Sequence, residues 1–457
     1  MKKRIGKKPS VFQLFTISFL VLVLLGSVLL YLPIATRDGQ STSFINALFT
    51  ATSATCVTGL ITYDTNVHFT LFGQIVILCL IQIGGLGFMT FISVAFYLIK
   101  GKMSVYQNKI LAEIAGHGDF SSLKRILKRI IITTAVFELL GALVLSTRFV
   151  PIYGAKGLYV AVFTSISAFC NAGFDVLTKI GSVEFISLNN FALDPIVIIT
   201  ICTLVLVGGF GFFVWSDLID SKFKFKKLQL YTKIVLITNL ILLVATTLLF
   251  VLVTNFNETL NVQFKDLNIF EKILVGFFNA VTPRTAGFSI IDYNNLSDSG
   301  YILTILTMFI GGNSCSTAGG VKINTISVLL ITAISVYRGR EDTSCYNKEI
   351  SRATIKKAIA VIFTYVCIVI VSLFLMLAFE KNNLAVNFKS ALFEIVSALA
   401  TVGLSFGITP TLTIASKLLL ILLMFAGRVG VITIFYSLKD RSDKFGAKKP
   451  TTDLMVG

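Results

Sequence analysis

The chain has 457 residues, 55% hydrophobic and 14% charged, with a mean hydropathy of +0.85. Charged residues make up about a quarter of a soluble domain, so an ordinary soluble globule is excluded. The formal charge of +17 does not mark a nucleic-acid binder. Of 40 Lys and Arg, 28 fall in five segments that recur on one side of the predicted spans: before Ser10 and within 100–129, 222–233, 338–357 and 439–449. The positive-inside rule then predicts cytosolic termini and three cytosolic basic loops, facing anionic membrane lipid or an acidic partner. Seven scattered cysteines without a C-x-x-C pair predict no disulfide framework. Two distant histidines, His68 and His117, give no metal-ligand spacing.

In chain order, the basic lead "MKKRIGKKPS" precedes an apolar run, Leu14–Ile34. That run is longer than the roughly 7–15 residues of a signal peptide's apolar region and is read as a retained membrane helix. A short apolar segment, Phe44–Ala54, ends at "TCVTGL", and a second run follows at Leu71–Ile99, carrying "IGGLGF" (Ile83–Phe88). The pattern then repeats. Ile130–Ser146 leads to Leu158–Phe169, "NAGF", and Ile196–Trp215 with "VGGFGF". Thr232–Val253 leads to Phe270–Val281, "TAGF", and "IGGNSCSTAGG". Ile359–Leu377 leads to Phe388–Leu399, "TVGL", and Leu418–Tyr436 with "FAGRVG".

The motif glycines are Gly59, Gly173, Gly287 and Gly403, spaced 114, 114 and 116 residues apart. A period this regular is the mark of internal repetition. Segments of about 12 residues are too short to span a hydrocarbon core of about 30 Å. Non-helical backbone at membrane depth is tolerated only when buried in protein or lining an aqueous cavity. The sequence therefore predicts an all-α integral membrane fold of four covalently linked helix–pore-loop–helix repeats around a pseudo-fourfold pore. Eight helices are expected to span. The repeats are expected at residues 1–100, 101–228, 229–345 and 346–457.

Backbone carbonyls can replace the water around a monovalent cation without fixed charge. Glycine supplies the positive φ that turns carbonyls toward an axis. The expected lining is Cys56, Val57, Thr58 and Gly59; Cys170, Asn171, Ala172 and Gly173; Arg284, Thr285, Ala286 and Gly287; and Ala400, Thr401, Val402 and Gly403. Asp64, Asp175 and Asp292 are expected to concentrate cations near the outer mouth. The layers differ among the quarters, which predicts a filter less symmetric than that of a homotetramer.

A polar, glycine-rich stretch interrupts the third inner run. Arg428 lies mid-span in the last one, where a charge must face a cavity or a partner. It is expected to touch carbonyls of that stretch below the filter and to act as an electrostatic barrier. Lys322 is a weaker second cation of this kind. The side chain of Arg284 is expected to pair behind the filter with Glu394 or Glu271. Glu138 reads as an interhelix hydrogen-bonding group rather than a proton relay. No paired carboxylates, metal-ligand cluster or Ser/His arrangement lies in the spans, so no enzyme is predicted. A sodium- or proton-coupled symporter keeps the same architecture and stays open.

The four x-G-x signatures, the interrupted third inner helix and Arg428 resemble the Trk/Ktr/HKT superfamily of potassium transporters over nearly the whole chain. Within it, the short lead and compact length look most like the membrane subunit (KtrB) of bacterial Ktr systems. The resemblance implies a homodimer taking up K⁺ in a bacterial plasma membrane. Serine at the position of Gly59 goes with sodium preference in plant relatives, so Gly59 favours potassium. It also implies an intramembrane gate formed by Gly311, Gly312, Asn313, Ser314, Cys315, Ser316, Thr317, Ala318, Gly319 and Gly320 with Arg428. Neither a P-loop nor G-x-G-x-x-G after a predicted strand is present. The resemblance places ATP or ADP on a separate cytosolic nucleotide-binding ring of KtrA/KtrC type, docked on the basic loops 100–129 and 338–357 and the tail. Na⁺ is a possible activator on the same grounds.

Overall fold

The computed structural model describes residues 11–87, 120–177, 187–255, 267–314, 316–340, 342–346 and 348–431. The lead, the run beyond Gly87, the basic segments 100–119 and 439–449, His117 and Cys315 lie outside the described residues. The chain is mostly helical. Counting helices of nine residues or more, the first quarter holds α1 (Val11–Tyr31), α2 (Phe44–Thr55) and α3 (Leu71–Leu86). The second holds α4 (Phe120–Tyr153), α5 (Lys156–Phe169), α6 (Pro195–Gly209) and α7 (Phe212–Asp220). The third holds α8 (Leu230–Asn255), α9 (Ile269–Val281), α10 (Asp298–Phe309) and α11 (Ile323–Tyr337). The fourth holds α12 (Arg352–Phe379), α13 (Phe388–Ala400) and α14 (Ile414–Val429). Two-residue strands β1 (Ser344–Cys345) and β2 (Lys348–Glu349) pair antiparallel between α11 and α12.

The short helices form the centre. From Ala47 to Thr55 only Leu48 in α2 is not fully buried, and α13 is buried from Ser390 onward except Leu392. The sequences of α2, α5 and α13 are rich in Ala, Ser and Thr, small enough for backbones to approach closely. Side-chain caps start α9 and α13: Asn268 accepts from Glu271 N, and Asn387 from Ser390 N, each in a reciprocal capping box. The long outer helices are inverted in character. On α12, Phe363 and Phe374 are 70% and 74% exposed. An apolar surface this large on helices long enough to cross a bilayer is a lipid face.

The second runs of the first, second and fourth quarters depart from expectation. Eight spans were expected, with only the third inner run interrupted. Instead α3 stops at Gly87 (φ 80°), α14 stops at Gly430 (φ 90°), and α6 and α7 meet at an 88° bend beside Gly211 (φ 86°). Positive φ takes the backbone out of the helical region, and glycine adopts it without steric cost. Among the described residues, three unbroken stretches are long and apolar enough to cross a membrane: Lys128–Tyr153, Leu230–Thr254 and Arg352–Phe379. Counted as one broken span, the bent α6–α7 pair makes a fourth.

The exposure pattern makes a prediction. Phe363→Asp places a carboxylate on the lipid face near the middle of α12 and should raise the insertion free energy of α12 by about 2.5–3.5 kcal/mol. Leu384→Asp, at a fully exposed loop position, should leave it unchanged. A glycosylation-reporter insertion assay reads both.

Candidate functional site

Each short helix ends in the same uncommon backbone. Val57, Asn171, Thr285 and Thr401 have φ of 56°, 59°, 70° and 53°, and two residues on Gly59, Gly173, Gly287 and Gly403 have φ of 95°, 69°, 77° and 91°. The residues between them are not in the positive-φ region. In a strand, successive carbonyls point opposite ways. Alternating the sign of φ turns them the same way. Left-handed φ costs an L-residue about 1–2 kcal/mol, most conspicuously for β-branched Val57, Thr285 and Thr401. Three of the turns are Schellman closures, in which Thr58 N, Ala172 N and Val402 N donate over 2.8 Å to Ser53 O, Ser167 O and Ser397 O. The third quarter differs: Ala286 N donates to Thr282 O over 3.0 Å.

The four turns meet in cyclic order. A β-carbon on Gly59 would lie 2.6 Å from Ala172 O, on Gly173 2.8 Å from Ala286 O, on Gly287 2.6 Å from Val402 O, and on Gly403 2.1 Å from Thr58 O. The last contact returns to the first quarter. Each glycine is required twice, for its φ and for the neighbouring backbone pressed against it.

Two supports escaped the sequence reading. Ser53 Oγ accepts Gly59 N at 3.1 Å, and Ser397 Oγ accepts Gly403 N at 3.0 Å. The signal was available: serine stands six residues before the glycine in three quarters (Ser53, Ser167, Ser397), and Val281 in the other.

Outside the ring, the four glycines floor a cavity of about 400 Å³ whose wall includes Asp64, Asp175 and Asp292. All three expected mouth carboxylates share it. Asp64 and Asp292 accept backbone N–H groups of Asn66, Val67 and Asn294 at 2.9–3.0 Å. Asp175 is half-buried; the protein crowding it, and then the carboxylate of Asp64, push its pKa up to about 7.

Below the ring, a β-carbon on Gly84, Gly208 or Gly427 would lie 1.9–2.0 Å from Thr55 O, Phe169 O or Leu399 O at the ends of the short helices. These glycines are therefore equivalent, and Gly87, Gly211 and Gly430 each lie three residues on. Arg428 takes the place held by Gly85 and Gly209. Its guanidinium donates to Thr317 O, Gly84 O and Gly85 O. The expected contact with the interrupting stretch is thus present.

The described residues of that stretch, 310–314 and 316–322, are non-helical between α10 and α11. Gly311 N donates to Val321 O at 2.9 Å, closing its neck. Asn313 donates to Gly209 O from its backbone and its side chain, at 3.1 and 3.0 Å. Thr317 Oγ1 lies 3.2 Å from the side-chain amide of Asn171, and Lys322 Nζ donates to Ala318 O at 2.7 Å. A β-carbon on Gly319 would overlap Thr401 Oγ1. The stretch packs directly beneath two of the four turns.

Arg284 is paired otherwise than expected. The residue is 95% buried, and its guanidinium donates to Asn239 Oδ1 at 3.4 Å. Glu271 caps the far end of α9, about 20 Å away at 1.5 Å per residue. Glu394 accepts the hydroxyls of Ser405 and Thr409. Glu138 accepts Gln82 Nε2 at 3.1 and 3.3 Å, an interhelix bond as expected. His68 meets Thr42 Oγ1 at 2.8 Å.

Residues 9–445 match the family described as TrkH, cation transport protein. The chain is 38% identical over 460 residues to the potassium/sodium uptake protein NtpJ of Enterococcus hirae, covering 100% of this chain and 99% of the other. It is 37% identical over 446 residues to the Ktr system potassium uptake protein B of Bacillus subtilis, covering 97% and 96%. Its fold is similar to the crystal structure of the potassium transporter TrkH from Vibrio parahaemolyticus, with a TM-score of 0.72, 17% identity and coverage of 96% and 86%. With the family matched along nearly its full length and apolar helices enough for a multi-pass membrane protein, the chain belongs to the TrkH family of cation transport proteins.

Proposed function

We propose that the protein takes up K⁺ through a filter made of the backbone carbonyls of Cys56–Gly59, Cys170–Gly173, Arg284–Gly287 and Ala400–Gly403. The observation that carries this reading is the cyclic contact of Gly59, Gly173, Gly287 and Gly403, each on the carbonyl of the next quarter. Alternating φ aims those carbonyls in one direction. The short helices direct their C-terminal, negative dipole ends at the same place, which favours a cation. The four quarters, 1–100, 101–228, 229–345 and 346–457, surround one pseudo-fourfold axis in this reading. Asp64, Asp175 and Asp292 concentrate cations above it.

The gate is the stretch Gly311–Gly320. Arg428 and Lys322 hold consecutive carbonyls of it, Thr317 O and Ala318 O, and the Asn171 amide holds its hydroxyl. Opening breaks these bonds and moves a guanidinium out of the ion's way. The relatives' names bear on control and on the ion. A Ktr system implies further components, read here as a cytosolic nucleotide-binding ring on a homodimer, with ATP or ADP on the ring and Na⁺ as an activator. A second reading, weak K⁺/Na⁺ discrimination, is favoured by the unequal layer Val57, Asn171, Thr285 and Thr401, and by similarity to a protein named for potassium/sodium uptake. Growth rescue of a potassium-uptake-deficient bacterium at low external K⁺, with and without a regulatory subunit, tests uptake. Rb⁺ against ²²Na⁺ flux in proteoliposomes separates the two selectivities.

Three outcomes are expected. Gly403→Ala, which puts a β-carbon 2.1 Å from Thr58 O, should lower Rb⁺ uptake at least about tenfold at equal membrane expression, a loss of some 1.4 kcal/mol. Gly39→Ala, at φ 68° but with nothing within 4 Å, should add only local backbone strain and leave uptake unchanged.

Thr317→Val removes one hydrogen bond of about 1 kcal/mol from the closed stretch and should raise Vmax about fivefold. Arg428→Ala should raise it further; unchanged Vmax in both removes this stretch as the gate.

With a pKa of about 7, Asp175 is charged above that pH and neutral below it. Uptake at sub-saturating K⁺ should therefore fall about twofold as external pH drops from 8 to 6. Asp175→Asn should be low and flat across that range.

A further inference from the structure

Between α7 and α8 runs "KFKFKK", Lys222–Lys227, with every residue exposed. Phe223 is 68% exposed and Phe225 47%. Lys222 and Phe223 are consecutive non-glycine residues at φ of 52° and 59°, a conformation bulky residues avoid. The surroundings enforce it. Phe223 N donates to Leu218 O at 2.9 Å, Lys224 N to Ser221 O at 3.1 Å, and Gln229 N to Asp217 Oδ2 at 3.0 Å. Arg129, on α4, grips Asp220 with two bonds of 2.7 Å. The rings are therefore held outward by a built turn rather than left there by a loose loop. Lys233 Nζ stands 5.7 Å from the ring centres of both Phe225 and the exposed Tyr346, extending the patch to the β1–β2 hairpin.

The helices on either side place this patch. α8 is long and apolar enough to cross, and so is the α6–α7 pair taken as one broken span, which puts the turn joining them at a bilayer surface. The 88° bend swings α7 away from the direction of α6, toward the plane of that surface. Aromatic rings that alternate with lysines suit the boundary of headgroup and acyl chain, where rings enter the apolar edge and ammonium groups reach phosphate. An acidic protein segment would match the lysines and leave the rings uncovered. The chain's own segments 1–10, 88–119 and 432–457 all carry net positive charge, so they do not complement the patch.

We propose that Lys222–Lys227, with Lys233 and Tyr346, form a binding surface for anionic phospholipid headgroups. The surface rests on the membrane crossing of α6 and α8 and is independent of which ion passes.

Trp215, the chain's single tryptophan, lies on α7 eight residues before Phe223 and reports on this surface without any transport. The full chain is reconstituted with brominated phosphatidylglycerol or brominated phosphatidylcholine, and quenching of Trp215 gives their relative binding. A preference of about fivefold for the anionic lipid is expected, the effect of roughly one lysine at a charged surface. It should fall to about 1 when Lys222, Lys224, Lys226 and Lys227 are changed to Gln. Should that variant fail to elute as a single species, Lys224→Gln with Lys226→Gln serves, with an intermediate ratio expected. Phe223→Ser with Phe225→Ser should also lower it. A wild-type ratio near 1, or one unmoved by the lysine substitutions, overturns the proposal. Protection of these lysines from acylation by polyglutamate, with a lipid ratio near 1, would instead assign the surface to an acidic protein.

Discussion

Where Gly59, Gly173, Gly287 and Gly403 meet, each α-carbon presses on a carbonyl of the neighbouring quarter, at separations a side chain could not survive. The rest of the structure follows from this contact. Four short helices must converge and stop together, so their C-terminal halves are buried, and their ends turn through left-handed residues. The strain at Val57, Asn171, Thr285 and Thr401 persists because helix ends, serines and neighbouring turns over-determine it. Long apolar helices are then free to face lipid, because the polar backbone is satisfied inside.

The same economy governs the inner runs. Gly84, Gly208 and Gly427 let these runs touch the ends of the short helices, and three residues later each run bends or stops. Arg428 stands where two equivalent positions carry glycine, which gives its guanidinium room to reach across to Thr317 O and Gly84 O. The third quarter has a whole stretch in place of a bend. Asn171, the one amide in its layer, joins that stretch to the ring, so movement of one is felt by the other.

The quarter that breaks the pattern is also the least symmetric at the ring. Val281 replaces the bracing serine, the turn closes one residue differently, and Arg284 sits behind it on Asn239. A single chain can vary its quarters in this way; four identical subunits cannot.

The 114- and 116-residue period of the glycines, and the ends of the short helices to within two residues, were legible because each is local: small apolar residues at helical length, followed by a residue type that ends helices. The lipid-facing character of the long helices was legible for the same reason. The bends at Gly87, Gly211 and Gly430 were not, because glycine is equally at home in close helix packing, and only the φ decides. Nor could spacing tell that Arg284 meets Asn239 rather than a carboxylate, that Ser53 and Ser397 hold glycine amides, or that Thr317 meets Asn171. Those partners lie between six and 146 residues apart. Sequence determined what each segment could be, since propensity and apolar length act along the chain; tertiary structure alone chose the partners, since hydrogen bonds act through space.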